Sequence, residues 1–288
     1  MQVSALLRVD DVSFGYSRGA ASGGPAPVLD HVSIEVAQRA VVGIIGPNGS
    51  GKTTLLRLLS GTRQPAAGQV LLDGTPLTRL TRRAIAQRMA VVPQETQLAF
   101  DYSVMEMVLM GRHPHLGLFE LEGPEDFVIA RDALEATGTD ALEDRLFSTL
   151  SGGEKQRVVI AAALAQSSEI LLLDEPTASL DLGYQLEVAS LVTGLNRDRG
   201  VTIIVSTHDL NLAATICQQI VMLRRGRVIA SGSTAEVLTS ENIRELYDVE
   251  ADVQRHEPTG HLVVVPVNRL SPVAGHGSPV ASQGRNRQ

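Results

Sequence analysis

Residues 46–53 read Gly46-Pro47-Asn48-Gly49-Ser50-Gly51-Lys52-Thr53, and their reading decides the fold. The octet fits G-x-x-x-x-G-K-[ST], the pattern of a loop that wraps phosphate groups. The pattern carries weight only between a strand and a helix. Val41-Val42-Gly43-Ile44-Ile45 precedes it as a short apolar run of strand length. Thr54-Leu55-Leu56-Arg57-Leu58-Leu59 follows it and reads as a helix.

The residue types suit the chemistry. Phosphate oxygens need many hydrogen-bond donors and little steric bulk. Gly46, Gly49 and Gly51 let the backbone curl so that successive N–H groups point inward. A helix starting near Lys52 adds its positive N-terminal end. Lys52 can reach terminal phosphates as a point charge, and Thr53 can offer its hydroxyl to Mg²⁺. Of 25 basic residues only Lys52 and Lys155 are lysines. Lys52 thus marks a place where a planar guanidinium does not substitute for a compact ammonium.

With 288 residues and 43% hydrophobic content, the chain can build a sizeable core. Aromatics are 3% and Trp is absent, so that core is aliphatic. The net charge of −7 argues against a broad nucleic-acid surface. One cysteine, Cys217, excludes an internal disulfide framework. Met1 to Arg8 lacks the charged head and apolar core of a leader, and no apolar run approaches the ~18 residues of a membrane span.

Leu6–Phe14 and Val32–Val36 read as paired strands, separated by a flexible Ser/Gly-rich turn over 17–27. Gly68–Leu72 and Met89–Val92 read as further strands, with a short helix at Thr81–Arg88 between them. From about residue 95 to 166 the signals turn helical, which predicts a helical subdomain inserted in an α/β core. Strands at Glu169–Leu173 and Val201–Ser206 then alternate with helices at Tyr184–Arg199 and Leu210–Gln219. A hairpin over Ile220–Leu223 and Arg227–Ala230, short helical pieces and one last strand at Leu262–Val267 follow. The alternation predicts a mainly parallel sheet behind an antiparallel N-terminal portion, in a single domain over 1–270. Residues 271–288 read as a disordered tail.

Ile170-Leu171-Leu172-Leu173-Asp174-Glu175 is an apolar strand with two carboxylates at its end. Ligands of parallel sheets sit at the carboxyl ends of strands, so both acids fall beside the phosphates. Asp174 can hold Mg²⁺ and Glu175 can activate water as a general base. Leu150-Ser151-Gly152-Gly153-Glu154 opens a helix with two glycines after a serine, a second anion site or a capping box.

The ordered set GPNGSGKT, LSGGEKQR, LLLDEP and STHD resembles the ATP-binding cassette (ABC) ATPases that drive membrane transporters. The resemblance spans roughly residues 5–245 and implies a P-loop nucleoside triphosphatase core. It implies that Gln94 senses the γ-phosphate through Mg²⁺, that His208 contacts the γ-phosphate and that Tyr16 stacks on adenine. The nucleotide-contacting set becomes Tyr16, Gly46, Asn48, Gly49, Ser50, Gly51, Lys52, Thr53 and Thr54, with Mg²⁺ on Thr53, Gln94 and Asp174. Ser151, Gly152, Gly153 and Asp181, in the loop Ser179-Leu180-Asp181, face the nucleotide of a second chain. One phosphate loop and one signature therefore imply a head-to-tail homodimer holding two ATP. The remaining histidines, His31, His113, His115, His256, His261 and His276, receive no role.

Within that family, Val108-Leu109-Met110-Gly111-Arg112-His113-Pro114-His115, Ala163-Leu164-Ala165-Gln166 and Ala178-Ser179-Leu180-Asp181-Leu182 resemble importers of iron–siderophore complexes, haem and cobalamin. Ala162 departs from the family's usual arginine. The resemblance implies an integral-membrane permease as partner and, through it, a periplasmic or extracellular substrate-binding protein. It implies a peripheral position on the cytoplasmic face of the inner membrane. Two alternatives stand: an exporter with separate membrane subunits, and a soluble cassette ATPase of DNA repair or chromosome organisation. The latter carries long heptad arms, whereas only about 100 residues separate loop and signature here, without sustained heptads.

Overall fold

A computed structural model describes residues 5–16, 27–96, 100–178 and 180–270. β1 (Ala5–Phe14) and β2 (Leu29–Ala37) pair antiparallel, as the alternation predicts. β3 (Val41–Ile45) leads through the glycine-rich loop into α1 (Lys52–Leu59). β4 (Ala67–Leu72) and the two-residue β5 (Thr75–Pro76) complete a four-stranded antiparallel sheet of order β2-β1-β4-β5. The turn expected over 17–27 lies almost wholly outside the described residues, which resume at Pro27.

Thr81 caps α2 (Arg82–Arg88), and β6 (Met89–Val92) follows. Then come α3 (Val104–Leu109), α4 (Pro124–Ala136) and α5 (Gly152–Ala165), which pack on one another. β7 (Ile170–Asp174), α6 (Leu182–Arg199), β8 (Thr202–Thr207), α7 (Leu210–Ile216), β9 (Gln219–Arg224) and β10 (Arg227–Ser233) return the chain to the core. The second sheet has the order β10-β9-β3-β8-β7-β6 and is parallel except for the β9–β10 hairpin. α8 (Thr234–Val237) and α9 (Ser240–Tyr247) precede an antiparallel ribbon of β11 (Val249–Arg255) and β12 (Leu262–Arg269).

Two expectations are corrected. The helix predicted over Leu210–Gln219 stops at Ile216, because Gln219 already pairs with Val42 of β3. The single last strand has a partner, β11, whose Val249-Glu250-Ala251-Asp252-Val253-Gln254-Arg255 carries too many charges to read as a strand alone. The tail assigned to 271–288 lies outside the described residues.

The central strands are apolar over residues 41–45, 170–173 and 203–205 because both faces of the sheet are covered. Side chains alternate between two cores, as the strand period demands. Val41, Ile45, Leu171, Leu173, Ile203 and Val205 join the core shared with α3–α7. Val42, Ile44, Ile170, Leu172 and Ile204 join the core under α1 and the antiparallel sheet. Each such fully buried aliphatic side chain contributes about 1.5–3 kcal/mol. Because β3, β8 and β7 are direct neighbours and parallel, their carboxyl ends deliver the glycine-rich loop, Thr207-His208 and Asp174-Glu175 to one edge.

Candidate active site

That edge carries a cleft of about 650 Å³. Asn48, Gly49, Gly51, Lys52, Thr53 and Thr54 line one side, and Gln94, Glu175 and His208 line the other. Gly51 caps α1 at φ 110°, a conformation that favours glycine. Gly46 is excluded from carrying a side chain by a different cause. A Cβ there would stand 2.1 Å from the Leu223 carbonyl oxygen. Beneath the loop, the Ser50 hydroxyl is buried and has no hydrogen-bond partner among the described residues.

Lys52 is 5% exposed and turns back over the loop. Its ammonium donates to the carbonyls of Gly46 at 2.9 Å and Pro47 at 3.4 Å. It also lies 3.1 Å from Glu175 Oε1, while His208 Nδ1 lies 2.7 Å from Glu175 Oε2. Glu175 is thus held from both sides. Its backbone is left-handed at φ 48°, which costs a non-glycine residue on the order of 1 kcal/mol. Two bonds from its own N–H offset that cost, to Ser206 O at 3.0 Å and Ser206 Oγ at 3.2 Å.

Asp174 is 8% exposed and accepts from Ser206 Oγ at 2.6 Å and from Thr53 Oγ1 at 3.2 Å. A hydroxyl and a carboxylate oxygen therefore stand side by side at the start of α1, the hard-oxygen pair that Mg²⁺ prefers. Tyr16 is not among the residues lining the cleft, but it is bonded to one that is, Thr54. Its hydroxyl lies 3.3 Å from Thr54 Oγ1 and accepts from Arg57 at 3.2 Å. The hydrogen bond to Thr54 draws its phenol below the ordinary value, and Arg57 and Arg63 act in the same direction.

Ser151, Gly152, Gly153 and Asp181 are not among the residues lining this cleft. Ser151 and Glu154 form a reciprocal capping box on α5. Gly153 is explained by packing, since a Cβ there would meet the Tyr184 ring at 2.1 Å. Gly152 has no such neighbour, its nearest being Leu180 at 3.7 Å. It lines a second cleft of about 340 Å³ with Lys155 and Gln156, which shares Gln94 and Ala178 with the first. Asp181 caps α6 by accepting from Tyr184 N at 3.1 Å. Ser179 lies outside the described residues.

Sequence reasoning missed several groups. Val28, Thr177, Ala178, Gln185, Thr207 and Asp209 also line the cleft. Ser206, which joins Asp174 to the backbone of Glu175, stood in the quoted Ser-Thr-His-Asp and could have been found there. Val28 carries no sequence signal.

The arrangement gathers backbone donors, a helix N-terminus, an ammonium, paired carboxylates and a histidine, a set matched to a polyphosphate and a divalent cation. Comparison with known proteins agrees. The family described as ABC transporter matches residues 29–178. The ferric enterobactin transport ATP-binding protein FepC of Escherichia coli is 37% identical, over 93% of this chain and 96% of its own. The hemin import ATP-binding protein HmuV of Nocardia farcinica is 42% identical, over 87% of this chain and 86% of its own. An inward-facing transporter described as of the metal-chelate type has a TM-score of 0.79 at 29% identity, covering 92% of this chain and 98% of its own. A dimeric bacterial ABC transporter cassette has a TM-score of 0.70 at 27% identity, covering 79% of this chain and 98% of its own.

Proposed function

This chain belongs to the ATP-binding cassette family of transporter ATPases, and from that premise we propose that it powers import of a metal chelate through a separate permease. As a member of that family it binds ATP and couples hydrolysis to transport. It works as a dimer with membrane permease subunits. The cargo class is an iron–siderophore complex, haem or cobalamin. Support comes from relatives named for ferric enterobactin transport and hemin import, similar over most of the chain. A substrate-binding protein outside the membrane delivers the cargo to the permease, and this chain sits on the cytoplasmic face.

The observation that carries the catalytic reading is Glu175 held between Lys52 and His208 beside the loop. ATP enters with its phosphates on the N–H groups of residues 46–54 and its adenine on Tyr16. The γ-phosphate takes over Lys52, which leaves Glu175. Mg²⁺ on Thr53, Asp174 and Gln94 would neutralise phosphate charge and draw electrons toward the leaving oxygen. Glu175 then accepts a proton from the attacking water, and His208 donates to the γ-phosphate oxygens. Ser151, Gly152, Gly153 and Asp181, being off this cleft, close on the ATP of the facing chain. Binding thus draws two chains together, and hydrolysis releases them.

The test is reconstitution with the co-purified permease in vesicles. ATP-dependent uptake of ferric siderophore, haem or cobalamin is expected, and absent with Glu175→Gln. Uptake of none of the three, with ATP turnover intact, would reject the metal-chelate reading.

A further inference from the structure

The turn that carries His208 is held from outside by the C-terminal elements. Asp209 Oδ1 caps α7 by accepting from Asn211 N at 2.9 Å and Leu212 N at 3.0 Å. The Asn211 amide pairs with both backbone groups of Val264 on β12, accepting from its N–H at 2.8 Å and donating to its carbonyl at 3.3 Å. That is the bonding of an extra strand residue, made by a side chain. On the other flank, the Tyr247 hydroxyl at the end of α9 donates to the carbonyl oxygen of His208 itself, at 3.3 Å. The Tyr247 ring packs on the core that holds Ile243 and Leu246 of the same helix. β12 is tied to α9 in turn, through Leu270 N donating to Asp248 O at 3.0 Å.

We propose that Tyr247 is a positioning residue for His208, fixing the main chain from which the imidazole reaches Glu175. Asn211 holds the other side of the same turn. The inference rests on the role given above to His208. A proton-bearing hydroxyl is required, because a carbonyl can only accept. The surroundings keep that proton in place: burial first, then the negative charges of Glu175 and Asp209, push the Tyr247 phenol well above its ordinary value. The imidazole sits 2.7 Å from Glu175 at one end of this residue, and the Tyr247 bond fixes the other end. A shift of the His208 main chain therefore moves the imidazole relative to the phosphate while leaving the loop that binds ATP untouched.

The experiment measures steady-state ATP hydrolysis of the purified full chain with Mg·ATP. It compares wild type, Tyr247→Phe, Asn211→Ala, His208→Ala and the Tyr247→Phe/His208→Ala pair, with a thermal midpoint for each. Tyr247→Phe keeps the ring and removes one hydrogen bond, so kcat falls about three- to tenfold with KM within about twofold. Asn211→Ala gives the same split. In the His208→Ala background, Tyr247→Phe costs nothing further. The inference is overturned if Tyr247→Phe keeps the wild-type kcat, or if its loss adds in full to that of His208→Ala. A purely structural tyrosine would lower the thermal midpoint and leave kcat per folded chain unchanged. If His208→Ala itself turns over at the wild-type rate, the parent reading of His208 fails, and this one falls with it.

Discussion

Lys52 Nζ lies 3.1 Å from Glu175 Oε1, with both side chains largely buried. The cation that seeks phosphate and the carboxylate that would take a proton from water neutralise each other. On the reading proposed above, a γ-phosphate would compete with Glu175 for Lys52, so that ATP itself would free the base.

Glu175→Gln keeps the shape of that side chain and loses the proton acceptor. Turnover is expected to fall about 10²- to 10⁴-fold while Mg·ATP still binds. Because hydrolysis no longer separates the chains, size-exclusion chromatography with saturating Mg·ATP should show a dimer. A variant that stays monomeric there would refute the two-chain site.

Lys52→Arg preserves charge and removes the fit. The ammonium sits 2.9 Å from the Gly46 carbonyl in a space shared with Glu175, and a planar fork does not enter it. ATP affinity, read by equilibrium titration, is expected to drop at least about tenfold, a cost of about 1.4 kcal/mol. Wild-type affinity would show that charge alone suffices.

Gly152→Ala separates the two clefts. A Cβ at 152, the first position of α5, meets only Leu180 at an ordinary 3.7 Å, so alanine fits there without a clash. The thermal midpoint should hold, and ATP binding to the single chain should be unchanged. Turnover should nonetheless fall, because on the two-chain reading proposed above the added methyl would face the partner's nucleotide. Full turnover would remove Gly152 from the site.

Arg112→Met tests the joint behind the helices. Arg112 is buried, donating to Asp126 Oδ1 at 2.8 Å and to the Ala165 carbonyl at 2.8 Å, at the end of α5. Removing it leaves a partner unpaired and should cost about 3 kcal/mol at pH 7, seen by thermal unfolding. The bond from Arg112, and then the Gly123 N–H, hold the Asp126 carboxyl below its usual range. A depressed folded-state value means that the stabilisation is full above the ordinary carboxylate value and is lost as pH falls through the folded one. The gap between wild type and variant should therefore narrow below about pH 4. A gap that stays constant would show that Asp126 contributes nothing to it.

The core of the fold was legible because its signals are local. β3, β7 and β8 announce themselves as short apolar runs, and Gly46 to Thr53 supplies the loop between strand and helix. What escaped depends on distant partners. β11 becomes a strand only when β12 folds back on it, and α7 yields to β9 only because β3 is there to pair with. Glu175 and His208 were legible from their motifs, yet their shared hydrogen bond was not. Tyr247 meets His208 from 39 residues away in sequence, through a main-chain carbonyl that no motif records.

The placement of Gly152 off the cleft that Lys52 lines has a genetic consequence. On the head-to-tail arrangement proposed above, lesions at the two positions belong to different halves of one site. A chain broken at Lys52 and a chain broken at Gly152, once paired, gather both defects in the same pocket and leave the other pocket whole. Two alleles that are each null by themselves should complement when co-expressed, whereas two lesions within the loop should not.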